Sequence, residues 1–295
     1  RVRLPPHAPV CAHPLRHAAA YRPSSAADAA RAPRDADLSS VDPVEDPPSA
    51  RVAPLVLATL RNLASFASIA DELVRHGGVE LLCGELGAHS ADGKLVLGAA
   101  RVLAALSLEP PVAARLVRAA AEHSVMLSSA LVIHLDDSAI LIRISFVLAN
   151  VTEGSEEARL AVEPALPQLQ QRFKAWVAEY ADLVHAPRLE AIPEPRAPSP
   201  PPGRAHSAWG LAELTESLLK LVRLLAHLAI SQTLGPKIAA ADTSASHALL
   251  VEAALSASES DAVRGGPVEL ALATEELLLN AISAVTNLSF YREAG

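Results

Sequence analysis

The segment AILIRISFVLANVT (139–152) decides the fold. Arg143 is its lone charge, so as a helix it is apolar almost all round and must be covered on several sides at once. Its last five residues, LANVT (148–152), return in variant form as LRNLA at 60–64, LAALS at 103–107, LAHLA at 225–229 and VTNLS at 285–289. Each variant closes an apolar, helix-compatible segment. The first two spacings are 43 and 45 residues, the next 77 and the last 60. A helical period in the low forties, lengthened later by insertions, marks a stacked all-α solenoid. In such a stack a third helix lies between the units before and after it, which gives 139–151 its cover.

Outward from this segment the sequence divides into triplets of helices. Residues 112–121 and 124–135 precede 138–152, with Asp136-Asp137 at the join and Pro110-Pro111 closing the helix before. The same order is expected over 68–76, 79–86 and 94–108, joined by Gly77-Gly78 and Asp92-Gly93, after a helix at 51–66. Downstream, 164–185 reads as a lengthened helix with Phe173, Trp176 and Tyr180 on one face, a stripe whose default reading is packing. Helices follow at 211–230, 234–240 and 245–257, then a loop through Gly265-Gly266-Pro267 and a long helix at 268–290. The expected domains are a disordered Ala/Pro-rich arm over 1–50, repeats over 51–186, a Pro-rich insertion loop over 187–207, and repeats over 208–295. About five units result, the first and last incomplete. Leu277, Leu278, Ile282, Val285 and Leu288 leave the last helix broadly apolar, whereas a terminal solenoid helix presents a polar outer face. Further repeats are therefore expected beyond it, and the chain reads as a fragment of a longer array.

Composition narrows the function. Hydrophobic residues make up 51% of the chain but aromatic ones only 3%, so the core must be Leu, Val, Ile and Ala, a helical palette. A net charge of −8 gives no field that favours nucleic acid or an anionic membrane. The greasiest stretch, 211–230, carries Glu213, Glu216, Lys220 and Arg223, so no membrane insertion is expected. Cys11 and Cys83 lie far apart, which argues against a disulfide framework and for a reducing, cytoplasmic compartment. His7, Cys11, His13 and His17 cluster within eleven residues, but Pro5, Pro6, Pro9 and Pro14 deny them the compact turn a zinc site needs. No GxSxG, GxxxxGK[ST], GxGxxG, HExxH or CxxC motif occurs, and CGELGAHSADG (83–93) follows no strand. No catalytic residue, metal, cofactor or small-molecule substrate is expected. Asn150-Val-Thr152 and Asn287-Leu-Ser289 match the glycosylation sequon, but both coincide with the repeat phrase, which explains them.

The phrase L-x-N-L-[AST] closing a third helix, followed by a short helix and a Gly turn, resembles the armadillo family. The resemblance implies a right-handed superhelical solenoid of about five three-helix repeats, whose third helices line a concave groove. It also implies that the phrase Asn bonds the backbone of an extended bound peptide. Asn62, Asn150 and Asn287 match that position, while Ala105 and His227 depart from it. An amide offers donor and acceptor to a peptide backbone; an Asn that caps or bonds within its own repeat is an equal alternative. The residues four before the phrase position are Ala58, Arg101, Phe146, Arg223 and Ser283. They form no Trp array and two are cationic, so binding of basic import signals is disfavoured. The expected partner-binding groove comprises Asn62, Arg101, Phe146, Asn150, Arg223, His227 and Asn287, with Arg101 and Arg223 offered to an acidic protein segment.

The strings RISFVLANVTEGSEEAR (143–159), LVRLLAHLAISQTLGPKIAA (221–240) and ELLLNAISAVTNLSFY (276–291) sharpen the resemblance, over roughly 55–291, to armadillo proteins of cilia and flagella. This implies a non-catalytic adaptor in axoneme assembly, its protein partners radial-spoke or intraflagellar transport components. The rival expectation is a cytoplasmic armadillo scaffold unrelated to cilia, binding through its insertion or ends with the groove idle.

Overall fold

A computed structural model describes residues 48–64, 66–185, 210–240 and 243–292. Among the described residues there is no strand. The helices are α1 (Pro48–Leu63), α2 (Ala67–Arg75), α3 (Gly78–Ala88), α4 (Gly93–Leu106), α5 (Pro110–Arg118), α6 (Ala120–Ile133), α7 (Ser138–Gly154) and α8 (Glu156–Ala161). They continue, after a 3-10 turn at Glu163–Ala165, as α9 (Leu166–His185), α10 (Leu211–Leu228), α11 (Leu234–Ala240), α12 (Thr243–Glu259), α13 (Asp261–Arg264) and α14 (Val268–Arg292). The described residues fall into two units, with the boundary after Val56. In the first, the described residues are the opening part of α1, which starts at Pro48, three residues inside the expected arm. Proline suits a first turn because the N–H it lacks would have no intrahelical partner there. The rest of the expected arm, with His7, Cys11, His13 and His17, and the whole of the insertion at 187–207 lie outside the described residues.

In the second unit the joins hold because polar or flexible residues satisfy the helix ends. Gly77, at φ 69°, takes the left-handed conformation that turns the chain between α2 and α3. Asp92 caps α4 by accepting from the backbone N–H of Lys94 (3.0 Å) and Leu95 (3.2 Å). Asp137 caps α7 through Ile140 N–H (3.1 Å), and Ser155 caps α8 through Ala158 N–H (3.1 Å). Each satisfies an orphan donor of the first turn.

The triplets α2–α3–α4 and α5–α6–α7 repeat the same order, as do α8–α9–α10 and α11–α12–α14. Helices of equal rank pack on one another at most steps between triplets, although α6 packs on α8 rather than on α9. Thus α2 packs on α5, α3 on α6, α9 on α12, and the third helices run α4 on α7, α7 on α10, α10 on α14. This is an all-α, armadillo-like solenoid arrangement. The final triplet has all three helices, where the sequence led us to expect an incomplete unit. In α7, Ile140, Leu141, Ile144, Val147 and Leu148 are all buried, as an all-round apolar helix requires. Phe173, Trp176 and Tyr180 are buried too, so the aromatic stripe of α9 is core. Phe173 meets His247 of α12 with ring centroids 4.5 Å apart.

Candidate partner-binding strip

The repeat phrases end α1, α4, α7, α10 and α14, so the stacking of third helices brings most of the expected site residues into one strip. Three of the five third-position residues, Asn150, His227 and Asn287, tie consecutive third helices together. Asn150 Nδ2 donates to Ser107 Oγ at the end of α4 (3.1 Å). Asn287 Nδ2 donates to the Ala226 carbonyl of α10 (3.0 Å). His227, where the phrase departs from Asn, fills the same role. Its Nδ1 lies 2.8 Å from the Ala149 carbonyl of α7. A carbonyl only accepts, so Nδ1 carries the proton and Nε2 is left as the acceptor of the neutral ring. Burial, opposed by the Ala149 carbonyl and reinforced by the nearby Arg223 guanidinium, lowers the His227 pKa and keeps that ring neutral.

The sequence allowed the Asn either a partner's backbone or its own repeat. In Asn150 and Asn287 an amide N–H bonds the preceding repeat instead, a third possibility. Each Nδ2 carries two hydrogens, and the bond to the neighbouring helix uses one of them. One turn before the phrase, Phe146 and Arg223 meet: the guanidinium carbon stands 5.8 Å from the ring centroid, and Nη2 also donates to Asn150 Oδ1 (3.3 Å). Lys220 was not anticipated. Its ammonium lies 5.9 Å from the same ring, and its position three before Arg223 was the available signal. Cation–π contacts of this kind contribute about 0.5–1 kcal/mol each at accessible sites. The result is a half-buried Phe146 with two cations over it, Arg223 held in place by Asn150. Asn62 is exposed on α1 and Arg101 half-buried on α4. Tyr291, also missed, donates its hydroxyl to the Ser231 carbonyl (3.1 Å) and extends the ladder past Asn287.

Elsewhere the surface of the described residues carries hollows. One, of about 400 Å³, is lined by Ile133, His134, Asp136, Asp137, Ser138 and Glu213. There Ser138 Oγ donates to the Glu213 carboxylate, while His134 directs Nε2 to the Ser90 carbonyl (2.7 Å). The imidazole Nε2 is thus engaged by a backbone carbonyl and the hydroxyl by a carboxylate. Cys83 is buried, and burial with nearby Glu80 and Glu122 pushes its thiol up to about 12, so it is no nucleophile. Among the described residues no group of three or more His, Cys, Asp or Glu is placed to hold a metal ion, and no single helix is long and apolar enough to cross a membrane.

No protein-family profile matches the chain, and no solved structure matches it. Two curated relatives do. The chain is 27% identical over 246 residues to armadillo repeat-containing protein 2 of Mus musculus, an alignment covering 83% of this chain and 25% of that protein. It is 25% identical over 252 residues to armadillo repeat-containing protein 2 of Bos taurus, covering 83% of this chain and 26% of the relative. The chain therefore spans about a quarter of the length of the relatives it matches. The succession of helical triplets, with third helix on third helix, and the likeness to these two relatives agree: the chain is an armadillo-like solenoid similar to armadillo repeat-containing protein 2.

Proposed function

We propose that the chain is a non-catalytic protein-binding scaffold that presents the strip along α7 and α10 to an acidic, extended segment of a partner protein. The observation that carries this reading is the Phe146–Lys220–Arg223 cluster. It sets two cations and an aromatic face side by side on adjacent third helices of a chain whose net charge is negative. A carboxylate laid there meets a planar guanidinium already oriented by Asn150, so little ordering cost remains. The remaining amide hydrogens of Asn150 and Asn287 suit the carbonyls of an extended backbone.

The finer reading makes the chain an adaptor of cilium or flagellum axoneme assembly, resident in cytoplasm and cilium. Its partners on this reading are radial-spoke or intraflagellar transport components, with no part for nucleic acid, membrane insertion or a small-molecule substrate. What supports it is the likeness to armadillo repeat-containing protein 2 over 83% of this chain. The test is affinity capture from flagellar extract, with radial-spoke and transport-train subunits quantified by mass spectrometry. The double variant Lys220→Glu, Arg223→Glu is captured beside the native chain, and far-ultraviolet circular dichroism checks that helicity is kept. Reversing two charges at the contact should cut recovery by tenfold or more, on the order of the several kcal/mol that like-charge juxtaposition costs. Recovery of those subunits undiminished by the double variant would move the site off this strip. Recovery of only cytoskeletal, adhesion or nuclear partners would sink the ciliary reading and leave the scaffold.

A further inference from the structure

The corner between α12 and α13 carries the string SESD, Ser258 to Asp261. Among the described serines and threonines, Ser258 alone is followed by an acidic residue at both the first and the third position, Glu259 and Asp261. Acidophilic protein kinases choose their acceptor by a carboxylate at the third position, which their own basic side chains bind. Ser258 is half-buried, on the rim of a hollow of about 550 Å³ whose walls include Val263, Arg264 and Leu278. Its hydroxyl makes one local bond, donating to the Leu255 carbonyl one turn back (2.7 Å). Ser260 is committed to structure instead: it donates to the Ala257 carbonyl (2.7 Å) and accepts from the Val263 N–H of α13 (3.3 Å). Of these two serines, Ser258 can change its chemistry without breaking the corner.

Arg264 completes the arrangement. Its Nε donates to the Ser258 carbonyl across the corner (3.3 Å), so the two Nη groups, on the same guanidinium carbon, stand within reach of a group added to Ser258. Arg264 is exposed and, among the described residues, is the one cation lining that hollow. Glu259 and Glu275 line it as well, and their repulsion drives a dianion towards the guanidinium. We propose that Ser258 is a phosphorylation site for an acidophilic protein kinase, its phosphate clamped by Arg264. Ser258 Oγ attacks the γ-phosphorus of Mg-ATP; the new O–P bond replaces the bond to the β–γ bridging oxygen, ADP leaves, and the hydroxyl proton passes to the kinase's aspartate. A dianion at the C-terminal end of α12 opposes that helix's dipole unless a cation accompanies it. Arg264 supplies the cation and ties α13 to α12, so the mark stiffens the corner rather than melting it.

The test incubates the full chain with a purified acidophilic kinase and Mg-ATP and maps the product by tandem mass spectrometry. Ser258 should be labelled. Asp261→Asn should slow that labelling about tenfold, the loss of one charge-assisted contact to the kinase, while a reference substrate peptide in the same mixture keeps its rate. Circular dichroism checks that each variant keeps its helicity. Ser258 unlabelled in the native chain, or labelled at the same rate in Asp261→Asn, overturns the site. The phosphorus NMR resonance of the product, followed with pH, reads the clamp. Its midpoint should fall below the value of about 6 for free phosphoserine, and Arg264→Gln should return it there. A midpoint already at the free value in the native chain, or one that Arg264→Gln leaves lowered, overturns the clamp.

Discussion

Replacing Leu148 by Ala tests whether α7 is held between its neighbours as described. Leu148 is fully buried (0% exposed), on the helix that packs against α4 on one side and α10 on the other. The substitution removes about three buried carbons, worth roughly 2.4 kcal/mol in transfer free energy at about 0.8 kcal/mol per carbon. A cavity flanked by two packed helices can collapse only in part, which brings the expected cost to about 3–4 kcal/mol. Alanine's higher helix propensity returns only a few tenths of that. Leu81→Ala is the matched control: identical chemistry in α3, but at a side chain 64% exposed, where surface substitutions stay within about 0.5 kcal/mol. Urea unfolding followed by circular dichroism measures both, with the slope checked for constancy because repeat arrays can lose two-state behaviour. A cost below about 1 kcal/mol for Leu148→Ala, or equal costs for the two variants, would refute the placement of α7 in the stack.

Other consequences follow from single contacts. A Cβ at Gly235 would lie 2.2 Å from the Tyr291 ring, so Gly235→Ala should displace α14 from α11 and cost about 1–3 kcal/mol; an unchanged thermal midpoint would mean that Tyr291 does not pack there. Cys83, with its thiol raised to about 12, should resist a thiol reagent at pH 8 in the folded chain and react fully in urea; rapid reaction under native conditions would contradict its burial. His227 and His247 both have pKa values lowered by burial, so the unfolded chain binds protons first as pH falls through 6.5. Stability should therefore be level above about pH 7 and fall below it, by at most about 1.4 kcal/mol per pH unit for each histidine. His247→Gln should flatten that slope, and a urea midpoint that stays level from pH 7 to 5 would show that neither ring is held neutral.

The helices were legible because their punctuation is local. Gly77 breaks the chain through a left-handed backbone and Asp92 and Asp137 through side-chain caps, and the phrase period orders what lies between. The single-turn-and-a-half helix α8 was missed because six residues are too few to show a period, although Ser155 followed by Glu156 and Glu157 is a start signal. The candidate strip was legible in membership but not in bonding. That Asn150 belongs beside Phe146 and Arg223 follows from repeat register. That its amide reaches Ser107, two residues past the phrase position of α4, depends on the offset between stacked helices, which no single repeat records.

The ladder also bears on where this chain can grow. Its rungs join residues 43, 78 and 61 apart in sequence, yet their donor–acceptor distances are 3.1, 2.8 and 3.0 Å. Closing a longer connection costs only about 0.6 kcal/mol for each doubling of a flexible loop. Extra residues placed between helices are therefore nearly neutral, whereas one residue added inside a third helix before its rung would rotate that rung by about 100° relative to the start of the helix. Length in this array is a free variable of the connections, and register is a fixed property of the third helices.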